Sequence, residues 1–146
     1  MKFHSLEETE DYLESLKKRT LVSTGRWSPD QIFSHISDSI EFLFSDSEGA
    51  YRFPEVIQAT VGRVLFWKMI LQGKMDNGLP NPIKSGDPIA KSLEIELDRL
   101  LSLTKRFNYS VGPFNRHPVF GKLTKDEWVQ LHLIHCENHF SYLKIY

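Results

Sequence analysis

The chain has 146 residues, 40% of them hydrophobic and including ten Phe, five Tyr and three Trp, enough for one sizeable core and too many for a disordered segment. Eighteen basic against nineteen acidic side chains give a formal charge of -1, so no overall field draws the chain to nucleic acid or an anionic membrane. Cys136 is the only cysteine, which excludes an intrachain disulfide, and no apolar run reaches the ~18 residues of a membrane span. The expectation is a single domain over 1–146, cytoplasmic, without a signal peptide, since Glu7-Glu8-Thr9-Glu10-Asp11 interrupts any apolar leader.

Ser5 with Glu8 three residues on forms a capping box, and Leu6, Leu13 and Leu16 follow at helical spacing, so residues 5–19 are expected as a first helix. Ser28-Pro29-Asp30-Gln31 combines a capping serine, a proline at the first helical position and a glutamine at the third. The helix it starts carries Ile32, Ile36, Ile40 and Leu43 as its buried stripe, and His35 falls within that stripe. From Pro54 to about Leu71 the pattern is apolar nearly all round, apart from Arg63 and Lys68, which predicts a largely buried crossover helix. Gly73 to Pro88, with Gly78 and Gly86 inside it, reads as a long loop. Asp87-Pro88 is expected to start the next helix, with Ile89, Leu93, Leu97, Leu100 and Thr104 along one face, and Gly112-Pro113 to end it. Phe114–Leu123 reads as an ordered loop, and Thr124 with Glu127 caps a last helix running to Leu143. No alternating strand pattern of useful length occurs, so the fold expected is all-α.

The last helix carries His135-Cys136-Glu137-Asn138-His139. Histidines four apart stack on one helix face about 6 Å from each other, and on the helical wheel Trp128 falls between them, within about 20° of His135. The pair therefore looks inward. Six histidines produce such a spacing by chance in about one chain in five, so the pair alone is weak. What adds to it is the third inward histidine, His35, on another capped helix, because facing helices of a bundle are where metal sites are built. The competing reading is three packed core histidines with hydrogen-bond partners. His132 is the alternative third ligand, a donor behind the ligands, or a packed histidine, and His117 lies at the pocket mouth or in solvent. Asp38 either orients an imidazole or is a solvated helix acid. Cys136 with His132 or His139 is a conceivable nucleophile pair, set against a buried inert thiol.

His117, Pro118, Phe120, Gly121, Leu123 and Trp128, followed by His135 and His139, resemble the C-terminal signature of a DinB-like (YfiT-like) subfamily of unknown function, His-Pro-x-Phe-Gly-x-Leu-x-x-x-x-Trp and then His-x-x-x-His. Residues 27–44, with His35, resemble that family's first ligand helix. The chain departs from the subfamily at Asn138 and Tyr142, where His and Gln are common. The resemblance implies a four-helix bundle of up-down-down-up course with an extra crossover helix between the second and third bundle helices. It also implies a divalent ion, zinc or nickel first and iron, copper or manganese after them, held by His35, His135 and His139. Such an ion can lower the pKa of water or hold a thiolate. Two reactions then follow: transfer of a low-molecular-weight thiol to a small electrophile, as the resemblance implies, or metal-assisted hydrolysis. His132, His117, Trp128, Tyr142 and Asp38 are the pocket candidates. The partners expected are a small-molecule substrate and a second copy of the chain, with no nucleic acid and no membrane. The alternative from another class is a non-catalytic dimeric bundle with structural or adventitious metal.

Overall fold

Helix starts need partners for backbone N–H groups that no preceding turn supplies, and the side chains expected to provide them do so in the computed structural model, which describes residues 1–76 and 79–146. Gly78 of the long loop lies outside the described residues. In α1 (Leu6–Leu16) Ser5 accepts the Glu8 N–H, while the Glu8 carboxylate turns back one residue further, to the His4 N–H. Ser28 N–H donates to Gln31 Oε1 (3.1 Å) at the head of α2 (Pro29–Leu43). Thr124 and Glu127 exchange both capping bonds at the head of α6 (Lys125–Phe140).

Four helices form the bundle, and their contacts fix the course. α5 (Leu93–Tyr109) opposes α1, with Glu7 and Glu10 reaching Asn108 near the end of α5 and Lys17 reaching Asp98 near its start. α2 runs with α5: Ser34 Oγ donates to the Ile89 carbonyl ahead of α5, and the Leu43 carbonyl accepts the Asn115 N–H beyond it. α6 opposes α2, since Trp27, just before α2, stacks on His139 while Lys125, at the start of α6, reaches the Asn108 carbonyl. The course is up, down, down, up. Between these helices Leu13, Leu16, Phe33, Ile36, Leu100 and Phe107 are sealed from water. Each stabilises the fold by about 1.5–3 kcal/mol relative to exposure.

Four expectations are corrected. The first helix stops at Leu16, and Lys18 takes a left-handed backbone (φ 63°) that no helix continues through. The last helix ends at Phe140, after which β2 (Leu143–Ile145) pairs antiparallel with β1 (Leu21–Ser23), a clasp too short to show as an alternating pattern. The helix after the long loop starts at Ser92, whose side chain accepts the Ile95 N–H; Ile89 lies ahead of it, 82% exposed. The crossover segment is mostly exposed rather than buried: Val56, Val64, Trp67 and Leu71 face outward, Leu71 at 85%. It runs as α3 (Glu55–Ile57), a π-turn over Gln58–Gly62 and α4 (Arg63–Gln72). Its buried edge is Gln58, Gly62, Phe66 and Met69. Gln58 Nε2 donates to the carbonyls of Phe53 and Pro118, and Gly62 abuts the Val119 carbonyl oxygen so closely that a Cβ there would strike it. These two residues hold the crossover against the 114–123 loop.

Candidate metal centre

His35 stands on the second turn of α2, and His135 and His139 stand one above the other near the end of α6. Because the two helices oppose each other, the three imidazoles meet, with one ring nitrogen of each within 4.8 Å of the others. His35 Nε2 lies 2.8 Å from His135 Nε2, and the ring centroids are 4.6 to 4.8 Å apart. Trp27 covers the group from the β1–α2 junction, stacked on His139 at 5.6 Å and tilted against His35 at 4.9 Å. From the loop side the Asn81 amide stands 3.4 Å from His35 Nδ1, its oxygen taking the Ile83 N–H. The amide NH2 is a donor, so this contact leaves the His35 proton on Nε2, toward His135, whereas a metal-bound histidine donates its far N–H to an acceptor. Neither Trp27 nor Asn81 carried a signal of these contacts in the sequence, since one precedes a helix cap and the other sits in an irregular loop.

Burial sets the charge state of the cluster. It pushes His35 down to about 4 against the upward pull of Asp38, and His139 down to about 3 with His35 adding to the effect. His135 falls well below its ordinary value through burial and then through His139 and His35. All three rings are thus neutral at pH 7, the form in which imidazole binds a metal. Two nitrogens at 2.0–2.1 Å from a tetrahedral ion stand about 3.3 Å apart, so to admit one His35 and His135 part by about half an ångström, while the wider separations, up to 4.8 Å, close by as much as about 1.5 Å. The donor set fits a divalent ion. Three imidazoles fill three positions of such a site and leave one for a small molecule.

The cluster opens into a cavity of about 1020 Å³ between α2, α6, α4 and the loop residues 74–76 and 79–86. His117, His132, Trp128 and Tyr142 all line it. His117 is buried, not solvated: its Nδ1 accepts the N–H groups of Val119 and Phe120 at 3.0 Å, its ring stacks on Phe120, and burial pushes it down to about 3. His132 stays outside the three-histidine group, with Nε2 3.3 Å from Cys136 Sγ. Cys136 is fully buried, does not line the cavity, and has its thiol held far above the ordinary range by burial and Glu137, which supports the inert reading. Asp38 neither lines the cavity nor bonds to an imidazole; Arg99 at 2.8 Å and Lys84 at 3.4 Å engage it, so it acts on His35 only through its charge. Trp128 Nε1 is buried with no hydrogen-bond partner among the described residues. Gly25, also on the lining, packs on the Tyr142 ring, whose nearest atom is 3.1 Å from where a Cβ would stand.

A family described as a protein of unknown function, DUF1569, matches residues 1–145. The chain belongs to this family. No curated protein and no solved structure matches it. DUF1569 is a family of DinB-like fold, and the up-down-down-up course of this member agrees with that. In this DUF1569 protein three histidines lie within reach of one another and could hold a metal ion. No described helix is long and apolar enough to cross a membrane.

Proposed function

We propose that this DUF1569 protein is a metal-dependent enzyme whose resident divalent ion is held by His35, His135 and His139. The observation that carries the reading is the meeting of three neutral imidazoles from opposed helices at the wall of a large cavity. Zinc or nickel is proposed first, with iron, copper or manganese as further choices; the imidazole donors by themselves suit zinc, nickel, iron and copper alike. Bound there, the ion supplies Lewis acidity that holds a thiol as thiolate or activates water near neutral pH. Transfer of a low-molecular-weight thiol to an electrophile is favoured over hydrolysis, because among the described residues no carboxylate joins the three-histidine group and the one acid on the lining, Asp76, is exposed. Trp27 stacks on His139 and, with Tyr142, lines the cavity beside it. Asn81 contacts His35 from the loop side, and Trp128 aligns with the histidines deeper in the cavity. The signature from His117 to His139 supports the further reading that the chain belongs to the DinB-like subfamily it resembles.

The test is metal analysis of untagged protein. About one equivalent of divalent metal is expected, with loss of that metal in His135→Ala while the helical circular dichroism is kept. Less than half an equivalent, or metal unchanged in the variant, overturns the reading. A second reading, a non-catalytic dimeric bundle, is favoured by one observation. The 2.8 Å contact lets His35 and His135 satisfy each other as donor and acceptor without any ion. Thiol titration of cobalt-substituted protein separates the two: the enzyme reading requires a spectral change with at least one thiol.

A further inference from the structure

A cavity of about 1020 Å³ is far larger than an ion and a small thiol fill, and matches the space taken by a drug-sized ligand. Its two ends differ in chemistry. Asn138 Nδ2 bonds to the Met75 carbonyl, which sets the 74–76 segment beside the histidine turn of α6, and Arg26 adjoins Trp27 at the same end. The charged lining residues are Arg26, Lys68, Lys74 and Lys84, with Asp76 as the one acid among the described lining residues. Arg26 is paired with Asp87 and Lys84 with Asp38, whereas Lys68 and Lys74 are exposed and have no anionic partner among the described residues.

The other end carries no charge. Trp128 lies two turns below His135, about 10 Å along α6, and Leu43 lies about 12 Å below His35 along α2. Between them the wall is Phe53, Val119, Phe120 and Leu131. His117 is neutral there and already occupied by backbone N–H groups. Lys74 and Arg26 sit at the histidine end, Lys68 stands two residues past Phe66, which packs on Phe120, and the far end is apolar.

We infer that the cavity binds an elongated anionic amphiphile, with a carboxylate-like head near Lys74 and the three histidines, Lys68 flanking it along α4, and a single apolar tail running toward Trp128 and Phe120. This deepens the metal-centre reading by naming the substrate class and rests on it for which end reacts. The head is drawn by unpaired cations, and the tail is held by removal of apolar surface from water. A cationic head or a short tail loses one of these two terms.

The experiment follows tryptophan emission in metal-free protein carrying Trp67→Phe, so that only the cavity residues Trp27 and Trp128 report, not the exterior Trp67. The probes are decanoate, butanoate and decyltrimethylammonium, each below its micelle concentration. Decanoate is expected to bind saturably and at least about a hundredfold tighter than butanoate, because each buried methylene contributes about fourfold. Decyltrimethylammonium is expected to bind about tenfold more weakly than decanoate, a gap that Lys68→Ala combined with Lys74→Ala closes while the dependence on tail length stays. No saturable decanoate signal, equal affinity for the two decyl probes, or a head-group gap untouched by the lysine changes overturns the inference. Metal stoichiometry is read separately on the untreated protein, so either reading fails without the other.

Discussion

Asn81 makes one side-chain contact that bears on the metal centre, and it is enough for a prediction. Its amide NH2 faces His35 Nδ1 from a loop, with the amide oxygen fixed by the Ile83 N–H, and so favours the His35 tautomer that carries its proton on Nε2. Asn81→Asp, which sets an acceptor against Nδ1, is expected to tighten metal binding about tenfold, measured by competition with a chromophoric chelator. Unchanged affinity would remove Asn81 from the site. His117 and His132 make the second case at this scale. Burial holds their folded values at about 3 and about 4, below the ordinary value of about 6.5 for the unfolded chain. Above that value both states are neutral and nothing changes with pH. Below it the unfolded chain takes up protons that the folded one refuses, so stability falls with pH down to the folded values. The loss is up to about 2 kcal/mol for each histidine by pH 5. Urea unfolding at pH 7, 6 and 5 with a chelator present reads this, and a flat midpoint contradicts it.

Among elements, the crossover segment teaches most about what a sequence discloses. Counting apolar residues over 54–71 finds a helix greasy on all sides and points to burial. The edge that is buried runs Gln58, Gly62, Phe66 and Met69 at spacings of four, four and three, a proper helical stripe in which half the members are not apolar. Gln58 is there for its hydrogen bonds and Gly62 for the Val119 carbonyl, and neither reason registers on a hydropathy count. Gly62→Ala is accordingly expected to destabilise by about 2 kcal/mol, the usual cost of forcing an atom into a filled space. A urea midpoint equal to that of the parent would show that the loop yields. Helix starts were legible because capping is local: Ser28 with Gln31 and Thr124 with Glu127 act over three residues. The β1–β2 clasp was not, because its two strands are three residues each and joined across nearly the whole chain. The histidine group was half legible. The spacing of four showed the pair on α6, whereas its meeting with His35 depends on how two helices oppose each other.

At the level of the whole molecule, the exterior of α4 raises the question of assembly. Val64, Trp67 and Leu71 stand at one-turn spacing on its outer face, 69%, 45% and 85% exposed. Large contiguous apolar surface on a soluble chain marks an interaction site more often than it stands alone. We propose a homodimer that covers this face, expected as twice the chain mass in light scattering, with Leu71→Lys shifting it to the monomer. A monomeric parent would overturn that proposal. The metal reading does not depend on it, since all three histidines come from one chain.

The close packing of Gly25 on Tyr142 has its own consequence. Position 25 has an ordinary backbone, so it accepts a side chain if the phenol ring swings a few tenths of an ångström. Both residues line the cavity, so alanine or valine there crowds the wall near His139 without replacing a histidine. Such a series would shrink that end of the interior in steps while leaving the three imidazoles in place. It offers a means of separating how well a molecule fits from what happens to it once inside.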